Sequence, residues 1–311
     1  MNLNNNVSMI GVPLDLGTQK KGVDMGPNAL RYEKIAEKLR STGLEITDLG
    51  NIQCEFKDIK PGNLKLKYLK EIAEVCSISA KKIEETIRKS QKPLVLGGDH
   101  SISIGTVSGA SNFYKGELGL IYIDTHGDLN TEETTETGNI HGMSYAALLG
   151  FGNKSLVNIG KNIKRENTLL VGAKDLDPAE EKLIKRENMN MFSIMDLLGE
   201  GLNPLFKMIS NLQSKVKTIW VSLDLDAIDK VYAPGVGIPN NGGFTYREIE
   251  AIAKYIGKNC NIAGLDIVEY NPIRDIENKT ADLTIELAAK FFGKDYSSYA
   301  EYLERHRVVD K

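Results

Sequence analysis

Eight short apolar runs, several of them unbroken by polar residues, set the strongest limit on what this chain can fold into. They are Ser8–Val12, Leu44–Asp48, Leu94–Gly97, Leu118–Asp124, Thr168–Gly172, Met189–Phe192, Thr218–Leu225 and Ile262–Val268. A strand with one wet face alternates apolar and polar residues. Several of these runs are instead continuous Val, Ile and Leu, as parallel strands buried on both faces require. Between them lie stretches with helical spacing of apolar positions: Asn28–Leu39 (opened by Gly26-Pro27), Lys65–Lys89, Ser101–Phe113, Pro178–Glu187, Tyr246–Ile256 and Thr280–Phe292. This alternation predicts an α/β fold, a three-layer αβα sandwich around a mostly parallel sheet of about eight strands. No Ser/Pro-rich linker, repeat or low-complexity block interrupts it, so residues 1–311 read as a single domain.

Composition removes several classes of function. With 41% hydrophobic and 26% charged residues the chain can build a sizeable core. A net charge of -3 without a long Lys/Arg run gives no reason to expect nucleic acid or a membrane surface as partner. The start, Met1-Asn2-Leu3-Asn4-Asn5-Asn6, lacks the basic and apolar regions of a signal peptide. No segment approaches the roughly 20 apolar residues that span a bilayer. Cys54, Cys76 and Cys260 are odd in number and widely spaced, which argues against a disulfide framework or zinc ribbon and for a cytoplasmic location. The glycine-rich opening Gly11–Pro27 matches neither phosphate-binding pattern and reads as a structural loop.

The chemistry concentrates where a parallel sheet gathers ligands, beyond the carboxyl ends of its strands. The chain has only four histidines, and His100, His126 and His141 follow the runs Leu94–Gly97 and Leu118–Asp124. His306, in a basic tail, reads as a surface residue. Asp124, His126 and Asp128 stand at alternate positions, which a nearly extended backbone would aim the same way. Asp224 and Asp226 repeat the spacing after another run. Four buried aspartates repel one another unless cations compensate them; two divalent ions carry +4. This oxygen-rich set with two imidazoles favours Mn²⁺ over zinc, and paired ions about 3.5–4 Å apart can activate a water.

Those motifs resemble the ureohydrolase family, most closely its bacterial arginases. The resemblance runs from Gly22-Val23-Asp24-Met25-Gly26-Pro27 through Gly97-Gly98-Asp99-His100-Ser101 and Asp124-Thr125-His126-Gly127-Asp128-Leu129-Asn130-Thr131. It continues through Gly138-Asn139-Ile140-His141-Gly142-Met143 and Ser222-Leu223-Asp224-Leu225-Asp226 to Gly264-Leu265-Asp266-Ile267-Val268-Glu269. It implies an arginase/deacetylase-like fold with two Mn²⁺ per subunit. His100, Asp124, Asp128 and Asp224 would hold one ion; Asp124, His126, Asp224 and Asp226 would hold the other. A hydroxide bridging them would attack the guanidinium of L-arginine, giving L-ornithine and urea. Glu269 would anchor the guanidinium, and His141 would shuttle protons. Asn130, Thr137 and Asn139 match positions that read the substrate carboxylate, and Asp177 and Glu180 those that read its amine, although Asp177-Pro178 with Glu180 is also an ordinary helix start. The resemblance also implies a homo-oligomer, trimer or hexamer. Thr125, Thr137, Ala227 and Ile238 depart from the family pattern. Alternatives left open are agmatine or another guanidino substrate, a non-catalytic metal-binding relative, and, more distantly, a metallophosphoesterase.

Overall fold

In the computed structural model, which describes residues 5–297 apart from 55, 57–58 and 116, all eight runs form strands. The tail Glu301–Lys311, with His306, lies outside the described residues. The strands are β1 (Asn6–Val12), β2 (Glu45–Asn51), β3 (Lys92–Gly97), β4 (Leu118–Ile123), β5 (Thr168–Ala173), β6 (Met191–Ser193), β7 (Thr218–Asp224) and β8 (Ile262–Val268). They form one sheet in the order β2-β1-β3-β8-β7-β4-β5-β6. Every pairing is parallel, so the sheet is more uniform than expected. Strands β4, β5, β7 and β8 are buried along their whole length, whereas edge strand β2 buries only Ile46.

Helices cover both faces. On one side Leu30, Ile35, Leu205, Ile249, Ile256 and Leu287 pack under the sheet. On the other, Ile72, Val75, Ile83, Val107 and Ala110 do so. The second layer is unusually tight. Helix Ser103–Tyr114 lies so close to helix Leu69–Arg88 that a Cβ on Gly105 would stand 2.4 Å from the Cys76 carbonyl oxygen. A Cβ on Gly109 would stand 2.3 Å from that of Ala80. This approach fixes the 3₁₀ turn His100–Ile102, which runs straight into helix Ser103–Tyr114.

Several boundaries differ from the pattern reading. The predicted helix Asn28–Leu39 is two helices, Gly26–Tyr32 and Ile35–Ser41, broken where Lys34 adopts φ 60. No Gly or Pro marks that break. The predicted Lys65–Lys89 helix starts at Leu69, because Tyr68 is left-handed (φ 56) and the residues before it bond a neighbouring loop. The strand expected at Met189–Phe192 shifts to Met191–Ser193, since the Met189 N–H still donates to the Ile184 carbonyl of the preceding helix.

Strand order explains where the site forms. After β3 the chain skips two places to lay down β4, and β7 and β8 later fill the gap. Strands β3, β8, β7 and β4 therefore stand side by side at a reversal of winding direction, where the loops part to leave a crevice. Gly109→Val should push the two packed helices apart and cost about 1–3 kcal/mol, as overpacking does. Denaturant unfolding should show it as a lower midpoint, and an unchanged midpoint would mean the helices have room to separate.

Candidate active site

Each of the four central strands delivers part of one cluster. His100 follows β3; Asp124, His126 and Asp128 follow β4; Asp224 ends β7, with Asp226 in the next turn; Glu269 follows β8. The i, i+2 convergence does not come from extended backbone. Asp124 Oδ1 accepts the His126 N–H at 2.7 Å, and Asp224 Oδ1 accepts the Asp226 N–H at 2.8 Å. Each aspartate thus caps its own turn. Asp128 and Glu269 have φ of 49 and 65, left-handed conformations that non-glycine residues adopt at a cost.

His100 Nδ1 lies 2.9 Å from Asp124 Oδ2, 3.1 Å from Asp224 Oδ2 and 3.3 Å from Asp128 Oδ2. His126 Nδ1 lies 3.4 Å from Asp124 Oδ1 and 3.2 Å from Asp226 Oδ2. Among the described residues these make two ligand groups sharing Asp124: His100, Asp124 and Asp128, and Asp124, His126 and Asp226. Asp224 reaches into the first.

The donors fit a metal ion. Ser222 Oγ donates to Asp266 Oδ1 at 2.5 Å and lies 2.9 Å from His100 Nε2. The hydroxyl proton being committed, Nε2 is the donor of that pair and the Nδ1 lone pair faces the carboxylates. Despite the short distances, His100 Nδ1 and Asp124 Oδ2 have no aligned hydrogen bond, and Asp226 Oδ1 has no partner. Lone pairs around a shared gap are what a cation uses. The charges agree. Burial pushes the Asp224 carboxyl well above the carboxylate range, with Asp226 and Asp124 adding to it. Burial and then Asp124 push Asp128 up to about 6. Asp124 is also opposed by burial, but the closeness of the His100 and His126 imidazoles outweighs this and holds it low.

A supporting row lies one step down the strands, which pair Tyr122 with Ser222, Ser222 with Asp266 and Asp266 with Val95. Asp266 is fully buried and accepts from Thr106 Oγ1 (2.6 Å), Trp220 Nε1 (2.7 Å) and Ser103 Oγ (3.1 Å) as well as Ser222. Gly264 allows this, since a Cβ there would lie 2.4 Å from the Trp220 ring. Tyr122 stacks on His100 at 4.4 Å and 4°, and its hydroxyl donates to Asp128 Oδ2 at 2.7 Å. Ser144 Oγ reaches the same oxygen at 2.9 Å. One phenol therefore steadies two members of one ligand group.

Glu269 sits beside the cluster. Its Oε1 accepts the His100 N–H at 3.0 Å and lies 3.3 Å from His141 Nδ1. Burial works against a charged His141, but Glu269 outweighs it and pushes the imidazole up to about 9. Asp99 secures the other side of His141: its Oδ2 accepts the Gly17 N–H at 2.7 Å, and the Gly17 carbonyl accepts the His141 N–H at 3.2 Å. The glycine-rich opening is thus part of the site's frame.

Of the residues matched to substrate reading, Asn130, Asp177 and Glu180 are joined by hydrogen bonds, and the Asn139 N–H donates to Thr137 Oγ1. Asn130 Nδ2 donates to Asp177 Oδ2 at 2.8 Å, and Thr134 Oγ1 donates to Asn130 Oδ1 at 2.9 Å. Asp177 and Thr137 are exposed; Asn139 and Glu180 are buried. Asp177 and Glu180 do form a capping box. Glu180 Oε1 also accepts the Leu129 N–H at 2.9 Å, so this helix start is tied to the metal loop. Of the departures, Thr125 buries an unpartnered hydroxyl, Ala227 is fully buried, and Ile238 follows Gly237, where a Cβ would stand 2.8 Å from Glu269 Oε2.

Sequence reasoning had not singled out Tyr122, Ser144, Ser222 or Asp266. Signals existed for two of them: Tyr122 and Ser222 each stand two residues before a ligand, on the same strand face.

The Arginase family model matches residues 5–293. The chain belongs to the arginase family. Arginase from Bacillus caldovelox is 40% identical over 294 residues, 93% of this chain and 98% of that protein. The crystal structure of arginase from Bacillus cereus superposes with a TM-score of 0.88 at 41% identity, covering 94% of this chain and 99% of that one. Entamoeba histolytica arginase in complex with L-ornithine gives 0.87 at 26% identity, covering 92% and 98%. The chain is accordingly an arginase-family hydrolase.

Tyr122→Phe and Ser222→Ala should each weaken divalent-metal binding by about 10–100-fold, the usual effect of removing a ligand's support. Titration calorimetry on metal-free protein reads this directly; wild-type affinity in both would show the supporting row to be idle. Metal affinity should also fall as pH drops below about 6, where the metal-free Asp128 carboxyl takes up a proton that a metal must displace. Elemental analysis after equilibrium dialysis at pH 5 and 8 checks it.

Proposed function

We propose that this chain hydrolyses L-arginine to L-ornithine and urea, as one ureohydrolase unit holding two Mn²⁺. His100, Asp124, Asp128 and Asp224 would hold one ion, and Asp124, His126, Asp224 and Asp226 the other. The observation that carries the reading is Glu269, a buried carboxylate within 3.3 Å of His141 and hydrogen-bonded to the backbone of ligand His100. A guanidinium is planar and cationic, and a carboxylate meets it with charge-assisted, bidentate bonds.

A bound metal pair supplies Lewis acidity and a water of lowered pKa. The protein's own groups do the rest. Glu269 Oε1 is steadied by the His100 N–H, which orients the carboxylate toward the guanidinium. His141, held protonated at neutral pH by Glu269, can donate to the departing nitrogen as the carbon–nitrogen bond breaks. Urea leaves with the guanidino carbon, and ornithine leaves with the amine. At the rim, Asn130, Thr137 and Asn139 would read the α-carboxylate. Asp177 would read the α-amine, with Glu180 holding that helix start in place. The L-ornithine complex of the Entamoeba relative supports an amino-acid substrate of this length.

A homo-oligomer, trimer or hexamer, in the cytoplasm belongs to the same reading. No helix among the described residues is long and apolar enough to cross a membrane.

Urea release from L-arginine and agmatine, measured side by side with added Mn²⁺, tests the proposal. Preference for agmatine would overturn it, and no urea from any guanidino compound would leave a metal-binding relative. Glu269→Gln should retain both metals and lose at least about 100-fold in kcat, because a preorganised charge facing the reacting group is removed. Asp226→Ala should lose metal first. Equal metal content in the two variants would defeat the division between ligand and substrate anchor.

A further inference from the structure

Every side chain assigned to the α-carboxylate above is neutral, and with the four aspartates offset by metal and Glu269 paired with His141, the acidic groups left beside them are Asp177 and Glu180. A cation at the rim would offset their repulsion of an entering carboxylate. The stretch that precedes helix Leu69–Arg88 supplies one. This stretch is strapped to the substrate-reading loop: Lys65 Nζ donates to the Thr135 carbonyl at 2.5 Å, and the Lys67 N–H donates to the Gly138 carbonyl at 3.0 Å. The contact is too close for any side chain at Gly138, where φ is 72 and a Cβ would stand 1.8 Å from the Leu64 carbonyl oxygen. Lys67 Nζ then reaches 3.4 Å from Asn139 Oδ1.

We propose that Lys67 is a specificity-determining residue that reads the α-carboxylate of the substrate, both by its charge and by orienting Asn139. Three observations carry this. The ammonium faces the buried Asn139 amide, one of the proposed carboxylate readers. With Oδ1 turned to the ammonium, Asn139 Nδ2 is left as the donor that a carboxylate requires. No carboxylate among the described residues lies within ion-pair distance of Lys67, so its charge is not already neutralised. Lys65, by contrast, spends its ammonium on a backbone carbonyl of the loop.

The inference rests on L-arginine being the substrate, and the test separates the two. The full Mn²⁺-loaded chain is assayed as wild type, Lys67→Met and Lys67→Arg. L-ornithine and putrescine, which differ only by the carboxylate, serve as competing inhibitors. Lys67→Met should raise KM for L-arginine and the inhibition constant of L-ornithine on the order of tenfold, the scale of a hydrogen bond to a charged group. The kcat on L-arginine should hold, as should inhibition by putrescine. Lys67→Arg should restore most of the loss. Weakening that is equal for L-ornithine and putrescine would show a merely structural strap, and no change for either would show an idle lysine; both overturn the inference. A wild type that prefers agmatine would overturn the arginase reading itself, and this inference with it.

Discussion

Asp124, Asp128, Asp224 and Asp226 are all at most 5% exposed and crowd two imidazoles, and that density of negative charge governs everything around it. Burial alone costs each carboxylate several kcal/mol unless positive charge is supplied. The fold answers by aiming imidazole lone pairs and carboxylate oxygens at common points. The buried hydroxyls of Tyr122 and Ser144 satisfy the oxygen of Asp128 nearest His100. The left-handed backbone at Asp128 and Glu269 persists because the surroundings fix these residues from several sides: Asp128 by both hydroxyls, Glu269 by Gly98 and His100.

Much of this was legible in the residues because the sheet is simple. Continuous apolar runs mark buried parallel strands, and the ligands stand at the ends of those runs. Helix breaks were not legible: nothing in the composition of Arg31-Tyr32-Glu33-Lys34 distinguishes a left-handed lysine from one more turn. The way the ligands converge was misread. D-x-H and D-x-D look like alternation on an extended strand, but each first aspartate folds the chain back onto its own oxygen. That bond is local and could have been anticipated from the turn-forming habit of aspartate. Asp266 is the opposite case. A single charge within Ile262–Val268 is visible at once, yet its partners come from two other elements, β7 and the helix Ser103–Tyr114, and only the packed structure brings them together.

Asp177 and Glu180 show that a bland reading and a functional one need not compete. They form the capping box that the sequence pattern suggests. The same box holds the Leu129 amide, and through it the loop that carries His126 and Asp128. Starting a helix and shaping a rim are here one set of hydrogen bonds.

Strand order carries a consequence for how the molecule comes into being. β3 and β4 are consecutive in the chain but separated in the sheet by β7 and β8, the last two strands to be made. Until those strands insert, His100 and Asp124 have no common neighbour, and Asp224, Asp226 and Glu269 are absent from the crevice. Synthesis from the amino terminus therefore makes β2-β1-β3 and β4-β5-β6 before the two strands that join them, and each piece has an open inner edge of the kind that invites mispairing. Ion capture comes last, after a slow, non-local strand insertion. A nascent chain carries Asp124, His126 and Asp128 on one segment, and only the finished sheet sets Asp224 and Asp226 beside them.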